Sequence, residues 1–188
     1  MRIDPITFQQ LPLRCHSLLS DVPLHDAWAV ELEGGGPGRT VSDARRLLGG
    51  EGQSSNIAVR ALFALRWKLG KLFGWDDASL DSPETSYLSR LTEEDRAKSQ
   101  VPPGTREGAF RTLYLYDHES LSEIRNATVH GFLGLALLPR TGGYTLYLAV
   151  YVKPVSRLTP FYMALIDPFR RLIVYPSMTR RVKQRWRP

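Results

Sequence analysis

The chain has 188 residues, 43% of them hydrophobic, which is enough for one well-filled core and too few for two. Its net charge of +6 permits an anionic partner without requiring one, since charge balance speaks to association rather than to fold. The single cysteine, Cys15, excludes an internal disulfide and a cysteine-built zinc cage, and it fits a reducing compartment.

The N-terminus lacks the basic start and continuous apolar run of a secretion signal. Residues 1–23 read as an irregular arm punctuated by Pro5, Pro12 and Pro23, and residues 24–188 as a single domain. Trp28, Val30 and Leu32 alternate with Ala27, Ala29 and Glu31, which predicts a first strand from Asp26 to Leu32. Gly34, Gly35, Gly36 and Gly38 end it. A short helix follows, with Thr40 and Asp43 as an approximate capping box and Gly49-Gly50 as its stop. A longer helix is expected from Ser55 to Phe73, striped by Ala58, Leu62, Leu65, Leu69 and Leu72.

From Asp76 to Gly108 the chain turns polar, with a short strand expected at Tyr87 to Leu91 and a helical turn started by Thr92. Strands are then expected at Phe110 to Tyr116, Ser122 to Arg125, Ala127 to Leu138 and Tyr144 to Val155. The longest apolar region, 131–152, is broken by Pro139, Arg140, Gly142 and Gly143, and so suits two strands better than a membrane helix of about 20 residues. A soluble cytoplasmic protein with no transmembrane segment is the expectation.

Arg140-Thr141-Gly142-Gly143 is a hairpin signal. An even loop puts Val129, Leu133, Leu135, Leu137, Leu146, Leu148, Val150 and Val152 on one aliphatic face. His130, Phe132, Tyr147, Tyr151 and Lys153 then fall on the other, and an odd loop would mix the two. The even loop is preferred, with the aliphatic face toward the C-terminal helix and the aromatic face outside. That helix starts at Thr159-Pro160 and carries the stripe Phe161, Leu165, Phe169, Leu172 and Ile173, continued by Val182 and Trp186. Pro168 and Pro176 should kink or interrupt it.

Strand, two helices, antiparallel strands and a long terminal helix make an α+β fold: a curved antiparallel sheet gripping the C-terminal helix. The stretches DAWAVEL, AVRALFALRWKLGKLFGW and FYMALIDPFRRLIVYPSMTRRV resemble the DUF2867 domain-of-unknown-function family, over most of the chain from Asp26 to Trp186. That family is similar to the SRPBCC helix-grip superfamily of START lipid-transfer domains, Bet v 1-like plant pollen allergens and aromatase/cyclase proteins. The resemblance implies a cavity between sheet and terminal helix. It brings no established reaction, no accepted catalytic residues and no cofactor.

The candidate ligand-lining residues are Leu133, Leu135, Leu148 and Val150 from the sheet and Phe161, Tyr162, Leu165 and Phe169 from the helix. His130 joins them, with Asn126 and Thr128, if the register slips by one; otherwise it is a hydrogen-bonded residue of the outer face. The leading function is binding of a small apolar or amphipathic molecule. One alternative is a cyclase/hydratase-like enzyme using His130 or a neighbouring tyrosine as acid or base. The other is an interaction module, including a homodimer, through Phe132, Tyr147 and Tyr151. His16, His25, His118 and His130 show no metal-binding spacing, and no metal is expected. Gly36-Pro37-Gly38 is wrongly spaced for a phosphate loop. Asp76, Asp77, Asp81 and Glu84 read as solvated, and the basic C-terminus as a docked amphipathic helix rather than a nucleic-acid surface.

Overall fold

The computed structural model describes residues 1–49, 85–125, 129–155, 157 and 159–186. The helix expected at Ser55 to Phe73, the Asp76 to Glu84 carboxylates and Asn126 to Thr128 lie outside them. One antiparallel sheet holds β1 (Leu24–Glu33), β2 (Arg106–Glu107), β3 (Phe110–Leu115), β4 (Glu119–Arg125), β5 (Val129–Arg140) and β6 (Gly143–Pro154). Their order is β1-β6-β5-β4-β3-β2, so the first strand lies beside the last. The β5–β6 hairpin closes on Thr141 and Gly142, with Arg140 opposite Gly143 and Gly142 at φ +78°. That even loop pairs Leu133 with Val150 and Leu135 with Leu148, the register expected from alternation. The chain is α+β.

Both faces of the sheet are covered. On one, Phe132 and Tyr151 are buried with Leu113, Tyr114 and Leu121 beneath Phe8, Cys15, Leu18 and Leu19. Those last four come from the first 23 residues, which hold two short helices, α1 (Pro5–Gln9) and α2 (Arg14–Leu18), where an irregular arm was expected. Asp4 caps α1, accepting the Thr7 amide at 3.1 Å. Helices of five residues are too short to show a hydrophobic period, which is why the sequence does not reveal them. The aromatic face is therefore an interior, and Phe132 and Tyr151 are not an open surface for a second copy.

The same face receives Tyr87–Arg90, a 3₁₀ turn rather than the expected strand, and α4 (Glu93–Lys98) with its Thr92–Asp95 capping box. Ser86 starts that turn by accepting the Leu88 amide at 3.1 Å.

The other face is aliphatic and packs against the C-terminal helix, as the alternation implied. It splits into two buried clusters. Leu135, Leu137, Leu146 and Leu148 pack with Tyr175, Val182 and Trp186. Val129 and Val152 pack with Met163. Trp186 also closes on the glycine loop after β1: at Gly35 (φ +93°) an added Cβ would stand 2.8 Å from its Nε1. The short helix α3 (Val41–Gly49) follows that loop, with the Thr40 amide on Asp43 at 2.9 Å.

The terminal helix runs as α5 (Thr159–Phe169), a π-turn (Arg170–Val174) and α6 (Tyr175–Arg185). Pro168 and Pro176 flank the π-turn, and each removes an amide that a regular helix would use. In the turn, the Tyr175 amide reaches back five residues to the Arg170 carbonyl. The extra residue shifts the helical phase. Met163, Ile166 and Arg170 turn inward before it, and Tyr175, Met178 and Val182 after it. Phe169 and Leu172, inward on an unbroken 3.6-residue period, are instead 37% and 76% exposed. Among the described residues no helix is long and apolar enough to cross a membrane.

Candidate functional site

Two irregularities face each other across the aliphatic side. β1 carries a register shift between Leu24 and Asp26, and the π-turn crosses above it. Bulges of both kinds re-aim side chains, and they are enriched near functional sites. Here they bring together six polar side chains. Asp26, whose side chain is wholly buried, accepts from the Tyr175 hydroxyl at 2.9 Å and pairs with Arg170 at 3.3 Å. Arg170 also donates to the Tyr175 oxygen and pairs with Asp167 at 3.2 Å. His25 Nε2 stands 2.8 Å from both carboxylate oxygens of Asp167, and Arg171 approaches the same carboxylate at 3.4 Å. Burial pushes the Tyr175 hydroxyl far above its ordinary range, so it stays a donor at neutral pH.

The row of sheet residues through Asp26 explains what lies beside this cluster. Asp26 is opposite Val150, Val150 opposite Leu133, and Leu133 opposite Ser122. Val150 and Leu133 are only half-buried. Val150 touches both apolar clusters and belongs fully to neither. Among the described residues the core under the terminal helix is thus divided along this row, with a polar end at Asp26 and an aliphatic floor beyond it.

His25, Asp26 and Asp167 place their ligating atoms within 4.8 Å of one another, a donor set that suits a divalent cation by type. Arg170 argues against one. Its guanidinium pairs with both carboxylates, standing where an added cation would need them.

Of the residues picked from the sequence, Leu135 and Leu148 are buried and Leu133 and Val150 half-buried on the aliphatic side. Phe169 points outward, and the side chains of Phe161, Tyr162 and Leu165 lie outside the described ones. His130 is on the opposite face, 2% exposed, with Nε2 3.0 Å from Glu123. Burial pushes the Glu123 carboxyl up, but His130, Ser86 and the Tyr87 amide outweigh it and hold it below the usual range. Glu123 thereby anchors the Tyr87 turn, and its partner His130 is sealed beneath the Tyr87 ring, 5.3 Å away.

Glu119 does the same for α2. It takes the Arg14 amide at 2.7 Å and the Cys15 amide at 2.8 Å, capping a helix that has no capping side chain of its own. The buried Cys15 thiol is pushed far up by burial, with Glu119 adding to it, which disfavours the thiolate.

Sequence reasoning missed the cluster at Asp26. One signal was present. Asp26 is in phase with Trp28, Val30 and Leu32 on an otherwise apolar strand face, and a buried carboxylate in such a place needs partners.

The fold and site define a two-sided α+β protein: a six-stranded antiparallel sheet with a partly buried polar cluster held between β1 and a π-interrupted terminal helix. Residues 18–177 match the family described as protein of unknown function (DUF2867), and the chain belongs to that family. No curated protein and no solved structure matches it.

Proposed function

We propose that the chain is a helix-grip protein that binds a small apolar or amphipathic molecule between the sheet and the C-terminal helix. The observation that carries this is the divided core. Half-buried Val150 and Leu133 form an aliphatic floor, and the Asp26–Arg170–Tyr175 cluster gives it one polar end. Apolar walls with a few fixed polar groups are what small-molecule sites are made of. The strand order, with β1 beside β6 and the helix following β6, is consistent with a grip. A guest would bind the folded state and raise its melting temperature. Acyl-chain and fused-ring compounds should therefore raise the Tm of wild type, while Leu133→Trp fills the floor and removes the shift without lowering the Tm itself. A panel of both classes that leaves wild type unmoved would overturn the reading.

A second reading rests on His25. Asp167 orients its Nε2, and no described group bonds its Nδ1, the arrangement of an imidazole held ready to accept a proton. If the protein is an enzyme, this histidine and not the sealed His130 is its acid–base group. Turnover of any bound compound should then vanish in His25→Ala, and turnover that survives this change would end the reading.

A further inference from the structure

Two buried donors beside the Asp26 cluster, Trp28 Nε1 and Arg171 Nε, have no partner among the described residues. Trp28 Nε1 lies on the sheet face under the terminal helix, and no described group accepts its hydrogen. A buried N–H without an acceptor is costly, and folded proteins rarely keep one without a reason. Trp28 stands two residues from Asp26 on the same sheet face, opposite Leu148 and next to the row that holds Val150 and Leu133. Its ring lies against Tyr175, with centroids 4.8 Å apart, and the Tyr175 hydroxyl is already committed to Asp26. A second orphan indole, that of Trp186, differs in place: it is pressed against the backbone of Gly35.

An indole nitrogen only donates, so what it lacks is an acceptor oxygen. The charge of the neighbouring cluster narrows the choice. Asp26 and Asp167 are paired with Arg170 and Arg171, two carboxylates against two guanidinium groups, so these four leave no net charge to draw in an ion. A free carboxylate or an amine would arrive without a counter-charge, and burying it would be costly. A neutral oxygen arrives with none to balance.

We infer that the ligand of this site is a neutral carbonyl compound, a ketone, ester or lactone on an apolar skeleton, with its oxygen held by Trp28 Nε1. The inference rests on the ligand-binding reading above and adds the chemical class of the guest.

The test uses a matched pair, fluorenone and fluorene, which share a tricyclic skeleton and differ by one carbonyl. Calorimetric titration of the full chain should show wild type binding the ketone about tenfold more tightly, the worth of one well-made hydrogen bond. Trp28→Phe keeps an aromatic ring against Tyr175 and removes only the donor, so the two affinities should converge in it. 2-Tridecanone against tridecane repeats the comparison on a linear skeleton. Equal affinities in wild type on both skeletons would overturn the inference and leave the binding reading standing. So would a ketone preference that survives in Trp28→Phe. If none of the four compounds binds, both the reading and the inference fall. The wild-type comparison decides even if the variant does not fold.

Discussion

The two faces of the sheet are built by different rules. On the aromatic face, buried carboxylates reach out of β4 and take the amides of short helices that could not hold themselves together. Glu119 fixes α2 and Glu123 fixes the Tyr87 turn. Asp95 adds a two-pronged bond from Arg14, at 2.8 and 2.7 Å. The result is a closed interior. On the aliphatic face one helix does the covering, and its π-turn breaks the packing in the middle. The contrast teaches that the two faces of one sheet can be covered by different means. Polar anchoring closes the side with the weaker helices, and on the side with the long helix the described core falls into two clusters.

The largest test of this contrast compares neighbours in sequence. Phe132 and Leu133 are adjacent on β5 and point to opposite faces. Phe132→Ala should cost about 3–5 kcal/mol, because it empties a filled core. Leu133→Ala, at a half-buried position, should cost about 1–2 kcal/mol. Urea denaturation midpoints measure both, and equal losses would mean that the two faces are packed alike. Next in size, Glu119→Ala strands the Arg14 and Cys15 amides and the Tyr114 hydroxyl, and should cost about 2–3 kcal/mol. It should also open Cys15 to thiol reagents while the β5–β6 hairpin keeps its hydrogen-exchange protection.

A smaller effect comes from acid. The hydrogen-bonded Arg14 guanidinium holds the Asp95 carboxyl well below its ordinary value. Its stabilisation is therefore complete above the unfolded value, near pH 4, and is lost as pH falls toward the folded one. Asp95→Asn should cost about 1–2 kcal/mol at neutral pH and flatten the fall in stability between about pH 5 and 3. A variant with the wild-type slope would show that acid acts elsewhere. The smallest effect belongs to the aliphatic side. Tyr175→Phe removes one hydroxyl from the Asp26 cluster and should cost about 1 kcal/mol, read from the same midpoints.

Much of the aliphatic side was legible because its signals are local. Alternation and the Thr141-Gly142 turn are enough to pair Leu133 with Val150. Thr40 with Asp43 and Thr92 with Asp95 mark helix starts within four residues of sequence. What was not legible is what depends on distant partners. Glu119 looks like part of a polar turn until Arg14 and Cys15 are seen on it, and Phe132 and Tyr151 look like an outer face until the arm covers them. Phe169 and Leu172 were misplaced for another reason. A fixed helical period cannot anticipate a π-turn, and the extra residue puts Phe169 and Leu172 about one position out of phase with Val182 and Trp186.

The caps on α2 also set an order of events during synthesis. Arg14 and Cys15 leave the ribosome long before Glu119, which lies 105 and 104 positions further along. At about 5–20 residues per second the first helix-forming segment waits roughly 5–20 s for the carboxylate that caps it. Through that interval Leu18, Leu19 and the Cys15 thiol have no β4 to pack on, so α2 is protected only after β4 is made. Pulse alkylation of nascent chains of increasing length would time the event, with Cys15 becoming shielded only once β4 and β5 have cleared the exit tunnel.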